Sequence, residues 1–333
     1  MSDIAPSALV ISSDKPQPPT RFVAYLLIAG VVFALGLNWP LISIGLESAS
    51  PWWFVVIRVA GAGLVVWTVS ALTGRIRAAD RRDLPVIASV ALGRLTIMTG
   101  MVYVGIQFVD AGRTAVLVWT ASLWTVPIAA VALKERMTAM RWTGLAIGIS
   151  GIFALVEPWR QDWSDGGVLL GHAILIVAAI LHASVSVHIR GHRWFSSPRD
   201  VVPWQFLMAT PPLVVLALLF EGPPQIDWSW GLAANIAYQS AIASAFALWA
   251  QQMVLQRLPV TSTNLSLMAV PVVGLLSSVV VLGEVLTVYA VIGVVAIITG
   301  VVTNIVADSI SGAPSADLTP PSVGVGAGPA IGT

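Results

Sequence analysis

The sequence predicts an all-α polytopic membrane protein of ten transmembrane helices in two inverted five-helix repeats. Three observations predict it: a composition suited to lipid, ten apolar stretches of spanning length, and a self-similarity at an offset of 149 residues. Of 333 residues, 57% are hydrophobic and 10% are charged, against roughly 25% charged in an ordinary soluble domain. A net charge of +1 provides no field that would recruit nucleic acid. The absence of cysteine excludes disulfides, thiolate metal sites and thiol nucleophiles.

A helix needs about 20 mostly apolar residues to cross a hydrocarbon core of roughly 30 Å. Such stretches fall at 22 to 45, 51 to 73, 84 to 106, 111 to 133, 140 to 156, 167 to 189, 200 to 220, 230 to 252, 260 to 282 and 288 to 306. The breaks carry turn residues or charges, among them Ser50-Pro51, Asp110 to Gly112, Asp165 to Gly167, Gly222 to Pro224 and Gly283-Glu284. Residues 1 to 20 lack the basic and apolar regions of a cleaved signal, and the run from 307 to 333 is rich in Pro, Gly and Ser. Both read as disordered tails, leaving 21 to 156 and 157 to 306 as the two repeats.

Charge selects an orientation. With the N-terminus cytoplasmic, all but four of the 17 basic residues fall on the cytoplasmic side. Only Arg113 and Arg160 fall opposite, with Arg58 and Arg94 inside spans. The positive-inside rule then puts both termini in the cytoplasm. Trp52, Trp53, Trp159, Trp163, Trp228 and Trp230 fall at outer helix ends, where amphipathic rings favour the headgroup layer.

The repeat aligns Thr114 to Gly151 with Thr263 to Gly300 without a gap. Its informative identities are Thr114/Thr263, Glu135/Glu284, Thr138/Thr287, Gly144/Gly293 and Gly151/Gly300. Five crossings per half is an odd number, so equivalent helices run in opposite directions. Inverted halves of this kind are characteristic of secondary transporters, with substrate sites between the halves.

Thr263 through Pro271 to Leu282-Gly283-Glu284 and Thr287, Glu135-Arg136-Met137-Thr138 with Gly144 and Gly151, and Asn38 and Arg58 together resemble the EamA-type members of the drug/metabolite transporter superfamily. Ser122 stands in register with Pro271, and Leu35 and His182 occupy positions where the family usually has tryptophan. The resemblance implies a central cavity ringed by helices one to four and six to nine, and export of small metabolites such as amino acids.

Glu135 and Glu284, beside the natural N-caps Thr138 and Thr287, read as structural turn residues. Gly144, Gly148 and Gly151 read as a packing face, with a homodimer contact as the alternative. His188 and His192 are four apart, but no carboxylate completes a metal site; no metal and no cofactor is expected. His182 lies inside its span and is either a functional imidazole or a hydrogen-bonded structural one. No Asp or Glu falls deep in a span, which disfavours sodium symport and an embedded enzyme.

The expected substrate-binding residues are Arg94, Asn38, Arg58, Tyr103, Trp119, His182, Trp204, Tyr238, Gln239, Trp249 and Asn264. Arg94 lies about 15 Å into its helix, near the midplane, where its planar fork would hold a solute carboxylate. The rival reading has it bonding backbone carbonyls near a helix break. Arg58, about 10 Å in, is expected to reach the outer headgroups or Glu47.

These features predict an inner-membrane exporter whose partners are a small-molecule substrate and lipid. The alternatives are efflux of hydrophobic cations and a non-transporting scaffold or sensor. Topology reporters in the segments 74 to 83 and 157 to 166 should report opposite sides of the membrane; both on one side would overturn the inverted arrangement.

Overall fold

The computed structural model describes residues 21–74, 77–134, 137–160, 165–196, 198–250 and 266–310. Its elements are α1 (Arg21–Leu46), α2 (Pro51–Leu72), α3 (Arg81–Gly105), α4 (Ala111–Ala132), α5 (Ala139–Val156), α6 (Gly166–Gly191), α7 (Pro198–Glu221), α8 (Trp230–Ala250), α9 (Ala269–Leu282) and α10 (Val288–Ile310). Nine are long and apolar enough to cross a membrane among the described residues, and α9 is a shorter apolar helix. The start expected for the ninth span, at 260, and Asn264 lie outside the described residues.

Helix starts follow their local chemistry. Ser50 precedes Pro51 at the first turn of α2, where the missing N–H costs nothing. Asp165 and Ser229 each accept a hydrogen bond from their own helix's first turn, as N-caps do. Thr138 accepts from Arg141 N and Thr287 from Ala290 N, so both expected caps are formed.

The packing is two-fold symmetric. Exchanging the halves swaps α1 with α6, α2 with α7, α3 with α8, α4 with α9 and α5 with α10. The observed pairs respect this exchange: α5 packs on α10, α2 on α7 and α4 on α9, while α1 on α9 is matched by α6 on α4, and α2 on α8 by α7 on α3. A second signature lies in the backbone. α3 carries π-helical turns from Ser89 to Met98, and α8 carries them from Tyr238 to Phe246, so the two begin at the repeat offset. Their hydroxyls reach five residues back: Thr96 to Ala91 O, Thr99 to Arg94 O and Ser244 to Gln239 O. In ordinary α-helical stretches here the same residue types reach four back, as Ser184 and Thr210 do. Single π turns inside α-helices often mark functional sites.

The repeat glycines meet one another. A Cβ at Gly144 would lie 2.8 Å from Gly300 O, and one at Gly151 would lie 2.8 Å from Gly293 O. The identities retained between the halves are therefore the two symmetry-related contacts of α5 against α10. That contact uses this glycine face for packing within one chain.

The halves are also tied end to end. On the face carrying the α1–α2 connection, the Glu221 carboxylate at the end of α7 accepts from Ser50 Oγ, Trp52 N and Trp53 N at the start of α2. An acidic group is unfavourable at its own helix C-terminus and favourable at another's N-terminus, so the pairing satisfies both helices. On the opposite face, the buried Asp83 accepts from Phe195 N and Ser196 N and contacts His192 Nε2 at 2.8 Å.

Gly151→Leu should insert a side chain where backbone already fills the space, a change that costs about 1–3 kcal/mol or more. Thermal unfolding of the purified protein should start at a lower temperature, whereas Gly166→Ala, with nothing within 4 Å of its added Cβ, should leave it unchanged.

Candidate functional site

Helices α1, α2, α3 and α8 bring their polar side chains together below the face carrying the α1–α2 connection. Arg58 Nη1 donates to Tyr103 Oη at 2.8 Å, and its Nε lies 3.4 Å from Ser244 Oγ. Tyr103 donates in turn to Gln239 Oε1 at 2.5 Å, Gln239 Nε2 to Asn235 Oδ1 at 2.8 Å, and Asn235 Nδ2 to Leu41 O at 2.7 Å. The bonds run in one direction, from guanidinium through phenol and two amides to a backbone carbonyl. Each donor polarises the next in a medium with little competing water. Ser240 Oγ donates to Arg58 O, which fixes α8 against α2.

The backbone explains the convergence. Asn235 and Gln239 are four apart and so share one face of α8. The π turns that begin at Tyr238 bring Ser244 back toward Arg58 and give its hydroxyl the freed Gln239 carbonyl. Tyr103 and Gln239 are fully buried. Phe54 packs edge-on against Tyr103 with ring centres 5.4 Å apart, and the Arg58 guanidinium stands 5.8 Å from the same ring.

Asn38 belongs to the same site by register. Ala34 O accepts from Tyr238 Oη and Leu41 O from Asn235, so the 34–38–41 stripe of α1 faces α8. Asn38 is buried, and its Oδ1 has no hydrogen-bond partner among the described residues. A buried acceptor left unmet costs about 1–3 kcal/mol.

Five of the residues expected from sequence thus gather here: Asn38, Arg58, Tyr103, Tyr238 and Gln239. The reach expected of Arg58 differs, because it turns inward to Tyr103 rather than outward to headgroups or Glu47; a desolvated guanidinium is better served by a fixed phenol than by extension along lipid. Asn235, Ser240 and Ser244 were not anticipated. Their signal was the four-residue spacing of Asn235 with Gln239 and of Ser240 with Ser244 on one helix.

The other expected residues do not join this hydrogen-bonded chain. Arg94 sits in the π turns of α3, is not covered by protein, and has no side-chain hydrogen bond or ion pair among the described residues. It is close enough to half-buried His182 on α6 for its charge to act on the imidazole, and His182 Nδ1 has no hydrogen-bond partner among the described residues. Trp119 is half-buried against the core. Trp204 donates to Arg77 O and packs edge-on against Trp67 at the end of α2 distant from Arg58, and Trp249 is half exposed beside Phe246. No cluster of three or more metal-ligating side chains occurs among the described residues, and every Asp or Glu with a described side chain lies near a helix end or in a connection.

Comparison with known proteins places the chain in context. A model of the EamA-like transporter family matches residues 22–156 and again 169–306. The chain is 23% identical over 279 residues to the "Uncharacterized transporter YoaV" of Bacillus subtilis, covering 83% of this chain and 94% of that protein. It is 26% identical over 289 residues to a "Probable amino-acid metabolite efflux pump" of Salmonella typhimurium, covering 83% and 92%. A crystal structure at 18% identity shares the fold with a TM-score of 0.59, over 85% of this chain and 97% of that one.

Tyr103→Phe should strand both the Arg58 donor and the Gln239 acceptor and lower stability by about 1–3 kcal/mol. Tyr238→Phe frees only one backbone carbonyl and should cost less. Adding Gln239→Leu to Tyr103→Phe should deepen the loss, since it also takes the donor from Asn235 Oδ1 and leaves the Arg58 donor stranded; thermal melts of the three variants check the order.

Proposed function

Because the chain belongs to the EamA-like transporter family, we propose that it is a secondary transporter exporting small polar or amphipathic metabolites, amino acids or related compounds, across the inner membrane by alternating access, with both termini cytoplasmic. The observation that carries this reading is the hydrogen-bonded chain Arg58–Tyr103–Gln239–Asn235, which joins α2 and α3 of one half to α8 of the other. A solute bound there touches both halves, so its binding is coupled to their relative movement. The name of the Salmonella relative, an amino-acid metabolite efflux pump, supports the substrate class.

The two embedded arginines divide the work. Arg58 already has neutral partners and shapes the site, with Asn38 Oδ1 as an acceptor for a solute ammonium or hydroxyl. Arg94 has no protein partner among the described residues, and a charge at that depth costs at least ~2.5–3.5 kcal/mol. It is the group assigned to the solute carboxylate, with His182 beside it.

Two other readings are less well supported. Efflux of hydrophobic cations calls for an interior carboxylate, and none lies there among the described residues. A scaffold without transport would fill its centre with bulky apolar side chains, whereas this centre holds a buried polar chain.

Counterflow in proteoliposomes, with labelled amino acids and the matching amines, tests the assignment. Arg94→Lys keeps the charge and loses the bidentate fork, so apparent affinity for the amino acid should fall roughly tenfold, about 1.4 kcal/mol, with protein insertion unchanged. Equal affinity of wild type and Arg94→Lys for the amino acid would refute it.

A further inference from the structure

Three helices that start on the α1–α2 face have their N-termini held by a carboxylate from elsewhere in the fold. Glu221 holds α2, Glu157 takes the Thr287 hydroxyl at the start of α10, and Glu284 takes the N–H of Gly112 at the start of α4, with Oε2 at 3.0 Å and Oε1 at 3.3 Å. Glu284 therefore serves not its own turn but a helix 172 residues away in the other half.

The three attachments differ in their partners. Glu221 is backed by Trp53 Nε1 bonding Gly222 O and by Asp227 N bonding Ser48 O. Glu157 is fully buried and ion-paired to Arg113 at 3.3 Å and Arg160 at 3.4 Å. Glu284 is half-buried and leans on backbone N–H groups, with Arg113 assisting and Asp110 opposing. Burial pushes its carboxyl above the usual range, Asp110 adding to this against the Gly112 and Ala111 N–H groups and Arg113.

The helix it holds is interrupted at Thr120. Ala111–Trp119 and Ala121–Ala132 meet at Thr120, which keeps helical backbone angles while its hydroxyl takes the Leu117 carbonyl at 2.5 Å and so competes with the ladder at that turn. In the other half a break at Met268 precedes α9, one residue from the equivalent position. We propose that Glu284 is a gating residue: its carboxylate is the releasable catch that holds the arm Ala111–Trp119, hinged at Thr120, against the other half and so closes this end of the pathway. The catch acts through position and needs no contact with the solute, so it stands apart from the substrate assignment above.

The test needs no substrate. Gln107 and Val285 are exposed residues in the connections preceding α4 and α10. The native chain has no cysteine, so Gln107→Cys and Val285→Cys take spin labels uniquely in the full-length protein in liposomes. Electron-electron distance measurement should give one short population with Glu284 present and a new longer population in Glu284→Ala. Glu284→Gln, which keeps an acceptor for Gly112 N, should return the short population. If Glu284→Ala does not fold, Gly112→Ala replaces it: the added Cβ would lie 2.8 Å from Glu284 Oε2 and 2.7 Å from Leu275 Cδ1, displacing the catch from the other side with the same lengthening expected. Distances identical to the parent in whichever of these variants folds would overturn the proposal.

Discussion

Hydrocarbon offers no hydrogen bonds, and that constraint governs the rest of this structure. Every N–H, hydroxyl, amide and guanidinium placed within the spans must find its partner in the protein or leave a cost of several kcal/mol. Helices satisfy the backbone. The side chains that remain polar are then drawn together, because each is the cheapest available partner for another. The chain from Arg58 through Tyr103, Gln239 and Asn235 to Leu41 O is the result. A charge is held there without a carboxylate, by spreading it along neutral dipoles. The same constraint leaves exceptions: among the described residues Asn38 Oδ1, Trp124 Nε1, His182 Nδ1, Ser278 Oγ and Asn304 Oδ1 are buried without a hydrogen-bond partner.

Two-fold symmetry organises the scaffold and is broken at the site. The α5–α10 contact is symmetric to the level of individual glycines, since Gly144 with Gly300 and Gly293 with Gly151 are one contact repeated. The π turns of α3 and α8 start at equivalent positions. Within those turns the side chains diverge. Arg94 in α3 corresponds to Ala243 in α8, and Gln239 corresponds to Val90. A duplicated backbone thus supplies the same wide turns on both sides of the axis, and the side chains give each a different chemistry. Secondary transporters commonly have such a frame of repeated halves.

The carboxylates follow a separate logic. Among the described residues they stay out of the centre and collect at helix ends, where aligned peptide dipoles and unsatisfied N–H groups favour negative charge. Because Glu221 and Glu284 cap helices of the other half, the electrostatics that end one helix also join the halves. Asp83 does the same at the opposite face through the α6–α7 connection.

Composition and apolar run length by themselves determined that the chain is a polytopic helical membrane protein, since the water-to-lipid preference of 20-residue stretches is a local property. Self-similarity determined the repeat, and depth along a helix singled out Arg58 and Arg94, because rise per residue needs no knowledge of neighbours. Rotation about each helix axis is not local. It is set by packing, so only the tertiary structure decided that Asn38, Arg58, Tyr103, Tyr238 and Gln239 share one site while Trp204 and Trp249 do not, and that Arg58 turns to Tyr103 rather than to the headgroups. It likewise decided that Glu284, which in sequence reads as part of its own turn, caps α4. A carboxylate has no local cue for choosing between its own helix and one brought alongside from 172 residues away; the choice belongs to the packing of the two halves.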